Sequence, residues 1–345
     1  MRNTKQADGV MRHLSGDIWG GLAAMLVALP SAIAFGVTIF SPLGPEFGAK
    51  GALAGMLGVT ALGIVAALFG GTQRLISAPC APAAAVLSAL TIQMSQQGAS
   101  VGTVILMLFI VALASALVQV MFGLLRLGEL IKFMPFPVVS GYLSGVGLII
   151  ILSQIPKWLA LPKGMSVWQG VIRPADWQWP SVCIGVVTAA VMLLAPRLSR
   201  RVPAVILGLL GGVVTYWVLA LTTWPELQSL HNNPYIIGPL SVAGEGFFES
   251  LAGPWQSFSN MQWPHWQVIV YPALTLAVLL SIDTLKTCVV LDALTGSRHD
   301  SNKELIGQGL GNLASALIGG SPGAGTMGAS LVNRASGGAT RLSGV

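Results

Sequence analysis

Two short breaks interrupt otherwise apolar sequence, Ser77-Ala-Pro-Cys-Ala-Pro-Ala83 and Ser321-Pro-Gly-Ala-Gly-Thr-Met-Gly-Ala-Ser330. In each, Pro or Gly stops a continuous helix and small residues then open a new segment. In lipid, non-helical backbone survives only where it is buried in protein or lines a cavity. Matching interruptions in two halves of a chain therefore mark discontinuous helices at a central binding site. The segments that follow, 79–94 and the run from Gly325, are too short to cross a bilayer. They read as half-helices, each preceded by an extended strand.

The surroundings of the breaks are those of an all-α polytopic membrane protein. Hydrophobic residues make up 54% of the chain and charged residues 9%, and 75–125 contains no Asp, Glu, Lys or Arg. The net charge of +6 comes from basic residues scattered singly between apolar spans, a topology signal rather than a polyanion-binding stripe, so no nucleic-acid partner is expected. Cys80, Cys183 and Cys288 lie in apolar segments without metal-like spacing. The expected spans are 18–40, 51–69, the half-helix 79–94, 101–125, 137–155, 179–195, 203–222, 266–291, 305–319 and the last half-helix from Gly325. A cytoplasmic N-terminus puts thirteen Lys and Arg on the inner side and four on the outer, in accord with the positive-inside rule. The expected setting is the inner (plasma) membrane, crossed many times, with the lipid bilayer as constant partner. Gly-x-x-x-Gly spacings at Gly51/Gly55, Gly141/Gly145, Gly208/Gly212 and Gly307/Gly311 read as close helix packing. A Gly-x-Ser-x-Gly match at 319–323 has the spacing of a hydrolase nucleophile elbow. With His13, His231, His265 and His299 in loops or at span ends, no base is available to it, and no enzymatic activity is expected.

The eighth span carries the charged chemistry, Ser281-Ile-Asp283-Thr-Leu-Lys286-Thr287. Asp283, Lys286 and Thr287 stand three and four residues apart, on one helix face. A charge within a span costs at least about 2.5–3.5 kcal/mol on insertion scales, so both charges should face the protein interior or an aqueous cavity. Two readings stand: an ion pair that only neutralises itself, or oxygens of Asp283 and Thr287 that hold a cation or proton, with Lys286 filling or replacing that cation. The half-helix ends suggest the cargo. Free N–H groups near 81–83 and 326–328 carry partial positive charge, so two N-termini meeting at mid-membrane make an electropositive site without a formal charge. Small residues let a compact anion approach the backbone. The candidate anion-binding residues are Ser77, Ala81, Pro82, Ala83, Gly325, Thr326, Met327 and Lys286.

These residues resemble the SulP sulfate permeases, bacterial relatives of human solute carrier family 26. The likeness rests on Gly16-Asp-Ile-Trp-Gly-Gly-Leu22, Ala28-Leu-Pro-Ser-Ala-Ile-Ala-Phe35, Phe69-Gly-Gly-Thr-Gln-Arg-Leu-Ile-Ser-Ala-Pro79, Ser281-Ile-Asp-Thr-Leu285, Asp300-Ser-Asn-Lys-Glu-Leu-Ile-Gly-Gln-Gly-Leu-Gly-Asn312 and Pro322-Gly-Ala-Gly-Thr-Met327. The resemblance implies a seven-plus-seven inverted-repeat transporter fold, with a core of spans one to four and eight to eleven and a gate of spans five to seven and twelve to fourteen. It implies anion binding between the third and tenth spans, alternating access, a homodimer in the full-length form and a cytosolic STAS domain. Mapped here, it gives an N-terminal segment 1–16, core helices 17–126, gate helices 127–223, an extracytoplasmic loop 224–265 and core helices 266–345.

Within the family the chain is similar to the bicarbonate-transporting branch, whose sodium-serving residues would map onto Asp283, Thr287, Gly325 and Thr326. A sodium ion at Asp283, Thr287 and Thr326 is the only cofactor that the resemblance brings into view. Many members carry an Arg a few residues into the tenth span, where this chain has Ala329, and Lys286 stands beside the mapped sodium residues. The expectation is that the Lys286 ammonium supplies the charge otherwise given by Arg or sodium, making transport less sodium-dependent. The chain ends at Val345, soon after the tenth span begins, and a fragment lacking the rest of the second repeat is expected. The expected function is secondary transport of a small inorganic anion: bicarbonate, sulfate or chloride. Other readings are a channel-like anion conductor, a nucleobase carrier, which should carry carboxylates in both the eighth and tenth spans, and a truncated membrane scaffold.

Overall fold

The structure is a computed structural model that describes residues 2–133, 167–198, 204–229 and 267–345, with isolated positions between 137 and 165 and Asn233. The expected span 137–155 and most of the expected loop 224–265 lie outside the described residues. The chain divides into two compact units, one of residues 1–134 and 240–345 and one of 135–239.

The first unit is built from α1 (Arg2–Phe40), α2 (Gly48–Phe69), strand β1 (Ser77–Pro79), α3 (Ala81–Gln96) and α4 (Val101–Leu124). Its second part contributes α8 (Gln267–Thr295), α9 (Ser301–Leu317), strand β2 (Gly323–Gly325) and α10 (Met327–Ala335). The strands lie where the Gly/Pro breaks predict them. Ala78 precedes Pro79 and is therefore biased to extended backbone, and Cys80 is extended too (φ −135°, ψ 162°). The helix accordingly begins at Ala81, two residues later than expected, with Pro82 in its first turn, where a missing N–H is harmless. The ninth helix starts earlier than its apolar residues indicate. The Asp300 carboxylate accepts from Asn302 N and Lys303 N, and this cap sets the boundary at Ser301.

Apolar side chains such as Leu87, Met107, Val111, Leu276 and Leu280 from α3, α4 and α8 form the main core, while Ile18, Leu22, Met25 and Leu26 of α1 are exposed. That pattern suits helices whose outer faces meet something as apolar as themselves. α1, α2, α4 and α8 are each long and apolar enough to cross a membrane. The Gly51/Gly55 pair is a close-packing device: a Cβ on Gly51 would lie 2.5 Å from the Gly36 carbonyl oxygen, so the α1 and α2 backbones touch.

The second unit contains α5 (Val167–Ile172), α6 (Trp179–Leu198) and α7 (Ala204–Thr222). α6 and α7 pack through Gly208 and Gly212 against Met192 and Thr188. The Trp177 indole donates to Gly170 O (2.8 Å) and Tyr216 Oη to Leu227 O (2.6 Å). Helix α6 is long and apolar enough to span.

Candidate functional site

β1 and β2 pair antiparallel, with Ser77 opposite Gly325, Ala78 opposite Ala324 and Pro79 opposite Gly323. Each strand runs through one linking residue, Cys80 or Thr326, into a half-helix, so α3 and α10 begin at opposite ends of one short ladder. All six strand residues are buried, whereas Ala81, Pro82, Thr326 and Met327 are half-buried and Gly328 is exposed. The first turns of the half-helices are thus the reachable part of a dry, hydrogen-bonded platform. The first intrahelical bonds, Ala84 N to Cys80 O and Ser330 N to Thr326 O, leave the N–H groups of Ala81 and Ala83 and of Met327, Gly328 and Ala329 outside the helical ladder. Pro82 has no N–H and can contribute only shape.

Side chains from α8 and α9 hold the ladder from outside. Thr284 Oγ1 accepts from Gly325 N (3.0 Å), and Thr287 Oγ1 donates to both Gly325 O and Asp283 O (3.0 Å each). Asn312 grips both backbone groups of Gly323, accepting from its N–H (2.8 Å) and donating to its carbonyl (2.9 Å). On the β1 side, Gln308 Nε2 donates to Ser77 Oγ (2.5 Å), and Ile76 N donates to Ser330 Oγ (2.9 Å). Thr326 N and Oγ1 both donate to Ile76 O, at 2.8 and 3.2 Å. Buried backbone at a break must be paired, and here side chains supply what a wider sheet would.

The charged residues of α8 form a buried ion pair, with Lys286 Nζ 2.5 Å from Asp283 Oδ1 and the two side chains 9% and 13% exposed. They are the sequence neighbours of the two threonines that touch β2, Asp283 preceding Thr284 and Lys286 preceding Thr287. The structure thus gathers Ser77, Gly325, Thr326 and Thr287 at the ladder, with Asp283 and Lys286 beside it. It does not aim the three side chains proposed for sodium at a common point. The Asp283 carboxylate meets Lys286, and the Thr287 and Thr326 hydroxyls spend their protons on backbone carbonyls. A cation at these residues would have to displace the ammonium. Among the described residues no three His, Cys, Asp or Glu side chains cluster as metal ligands.

Four ladder-holding residues escaped the sequence reading: Thr284, Gln308, Asn312 and Ser330. The signal for two of them is a polar stripe on α9, where Glu304, Gln308, Asn312 and Ser315 follow at four, four and three residues and all are buried. So dry a polar face on a membrane helix must have partners.

A model of the sulfate permease family matches residues 14–345. The bicarbonate transporter BicA of Picosynechococcus sp. is 36% identical over 341 residues, a match covering 97% of this chain and 56% of that protein. BicA of Synechocystis sp. is 34% identical over 345 residues, covering 97% and 55%. The solved transmembrane domain of a cyanobacterial BicA superposes with a TM-score of 0.75 at 33% identity, over 96% of this chain and 80% of that domain. The fold is therefore the seven-plus-seven inverted-repeat transporter fold over the part these residues cover. The chain spans a little over half the length of the two full-length relatives.

Proposed function

Because the chain belongs to the sulfate permease family, and is accordingly a multi-pass membrane protein, we propose that it carries the substrate site of a secondary transporter for small inorganic anions, bicarbonate first among them. One observation carries the proposal: the antiparallel ladder that sets the free N-termini of α3 and α10 at one buried platform. Each helix end is equivalent to about half an elementary positive charge, so two ends together present roughly one, matched to a monoanion. The Asp283–Lys286 pair adds no net charge, which disfavours a dianion such as sulfate. The similarity to two bicarbonate transporters points the same way.

The proposed anion-binding groups are the N–H groups of Ala81, Met327 and Gly328 with the hydroxyl of Ser77, in a hollow shaped by Pro82, Ala83, Gly325 and Thr326, the Ala83 N–H being turned to the Cys80 sulfur. Lys286 is proposed to hold Asp283 in place of a coupling sodium ion. Residues 17–126 and 266–345 act as the core and 127–223 as the gate of an alternating-access cycle. The protein is placed in the inner membrane with its N-terminus cytoplasmic, as a homodimer in its full-length form.

The test is uptake of radiolabelled bicarbonate and sulfate into proteoliposomes with and without sodium, for the chain and its Lys286→Met variant. Bicarbonate uptake without sodium is expected, falling by about tenfold in Lys286→Met unless sodium is supplied, the loss of one charge-assisted contact. Uptake that needs sodium in both proteins rejects the role of Lys286. Uptake of neither anion rejects the transporter reading.

A further inference from the structure

The hydrogen bonding around Ser77 is set by two residues of α9, Glu304 and Gln308. Glu304 is buried at the start of α9. Its Oε2 accepts from Gly71 N (2.8 Å) and Thr72 N (2.9 Å), in the loop that leads to β1. Its Oε1 accepts from Gln308 Nε2 at 3.0 Å, one turn further along the helix. The same Gln308 Nε2 donates to Ser77 Oγ at 2.5 Å.

An amide can be turned over, so its direction must come from its neighbours. Here Glu304 decides it. Burial pushes the Glu304 carboxyl up, while the donors of Gly71, Thr72 and Gln308 favour its charged form. As a carboxylate it only accepts, so the NH2 end of Gln308 faces it, and the flipped amide would set oxygen against oxygen. The NH2 group has two protons, one for Glu304 and one for Ser77. Gln308 Oε1 is left buried without a partner among the described residues, a cost the carboxylate enforces. Ser77 therefore receives a proton at its oxygen and cannot spend its own on Gln308. That hydroxyl, 3% exposed at the head of β1, keeps its own proton for a different acceptor.

We propose that Glu304 and Gln308 are positioning residues that fix Ser77 as a hydrogen-bond donor to the transported anion. This rests on the anion-site reading above and deepens it. The relay makes the site one of donors only at this point, favouring an anion that presents a bare oxygen to β1. It also ties the loop at 71–72 to the binding residue through a single carboxylate, so the loop and the donor move together.

The test is a double-mutant cycle on anion affinity, read as the concentration of bicarbonate, sulfate or chloride that protects the purified full chain against thermal unfolding in detergent. Ser77→Ala is expected to weaken binding by about tenfold, the loss of one hydrogen bond to a charged partner. Gln308→Met, close in size, is expected to weaken it by several-fold alone and not at all in the Ser77→Ala background. Glu304→Gln should lower affinity in the Ser77 protein but not in Ser77→Ala. A general packing role predicts instead that each α9 variant costs the same in both backgrounds, and that outcome overturns the relay while leaving the anion site standing. A wild-type chain protected by none of the three anions overturns the site and the relay together. Unfolding temperatures without anion identify any variant that has lost its fold; for such a variant Gln308→Leu, which also lacks the amide, replaces Gln308→Met and must show the same dependence on Ser77.

Discussion

The two half-helix starts share a backbone design and differ in what secures them. β1 is held by Gln308 on its Ser77 hydroxyl and by the flanking pair Ile76–Ser330, all neutral contacts. β2 is held by Thr284, Thr287 and Asn312 on its backbone, and α8 sets a buried ion pair beside it. α1, in the first repeat, has no charged residue between 18 and 40. The electropositive helix end is thus supplied twice, but the ion pair only once, since Glu304 behind β1 meets neutral donors. An anion can be recognised from both sides by dipoles, while each side has its own buried ionisable group, Glu304 behind β1 and the Asp283–Lys286 pair beside β2.

The largest effect that would break this comparison is on the ion pair. Asp283→Asn takes the carboxylate from a buried ammonium and should cost about 3–5 kcal/mol of stability, measured by denaturant unfolding in mixed micelles. The double variant Asp283→Asn with Lys286→Met should recover most of it, since replacing a buried pair by neutral groups of similar size is often close to neutral. Equal stability in the single and double variants would mean the pair is not coupled, and the α8 side would then be no more charged in function than the α1 side.

How far the sequence foretold this comparison depends on the range of the interactions. The breaks at 77–83 and 321–330 were legible because Pro79, Gly323 and Gly325 act locally to disfavour continuous helix, Pro82 fits only a helix's first turn, and the membrane forbids exposed backbone. The pairing of Ser77 with Gly325 was not, because strand register lies between residues far apart in the chain and neither segment alone encodes it. Asp283, Lys286 and Thr287 were legible as one helix face, yet the sequence left open which oxygen faced which. The geometry shows the carboxylate already met by Lys286. The α9 stripe was visible as a motif but without a role, since Gln308 and Asn312 read as ordinary members of a span until their partners on β1 and β2 are known.

A middling effect is expected from the ladder's closest approach. A Cβ on Gly323 would lie inside the Ala78 carbonyl group, which is rigid backbone, whereas one on Gly328 would meet nothing within 4 Å. Gly323→Ala should force the strands apart, at about 1–3 kcal/mol, and weaken anion protection. Gly328→Ala, in the first turn of α10, should stay within about 0.5 kcal/mol of the parent. If the two substitutions cost the same, the β1–β2 contact is not what holds α3 and α10 together at their N-termini.

The smallest effects separate the two threonines that grip β2. Thr284→Val removes the acceptor of Gly325 N, and a buried N–H left without a partner costs about 1–3 kcal/mol. Thr287→Val removes a donor to Gly325 O, and a carbonyl tolerates under-satisfaction better than an N–H does, so about 1 kcal/mol is expected. The Thr287 hydroxyl also bonds within its own helix, to Asp283 O, so part of its contribution is local to α8. Unfolding of the two single variants and the double should therefore give Thr284 the larger share, with non-additivity because both act on Gly325. Additive losses would mean that α8 grips β2 through independent contacts, and that the one-sided ion pair on α8 could shift without moving the strand that presents Thr326 and the start of α10.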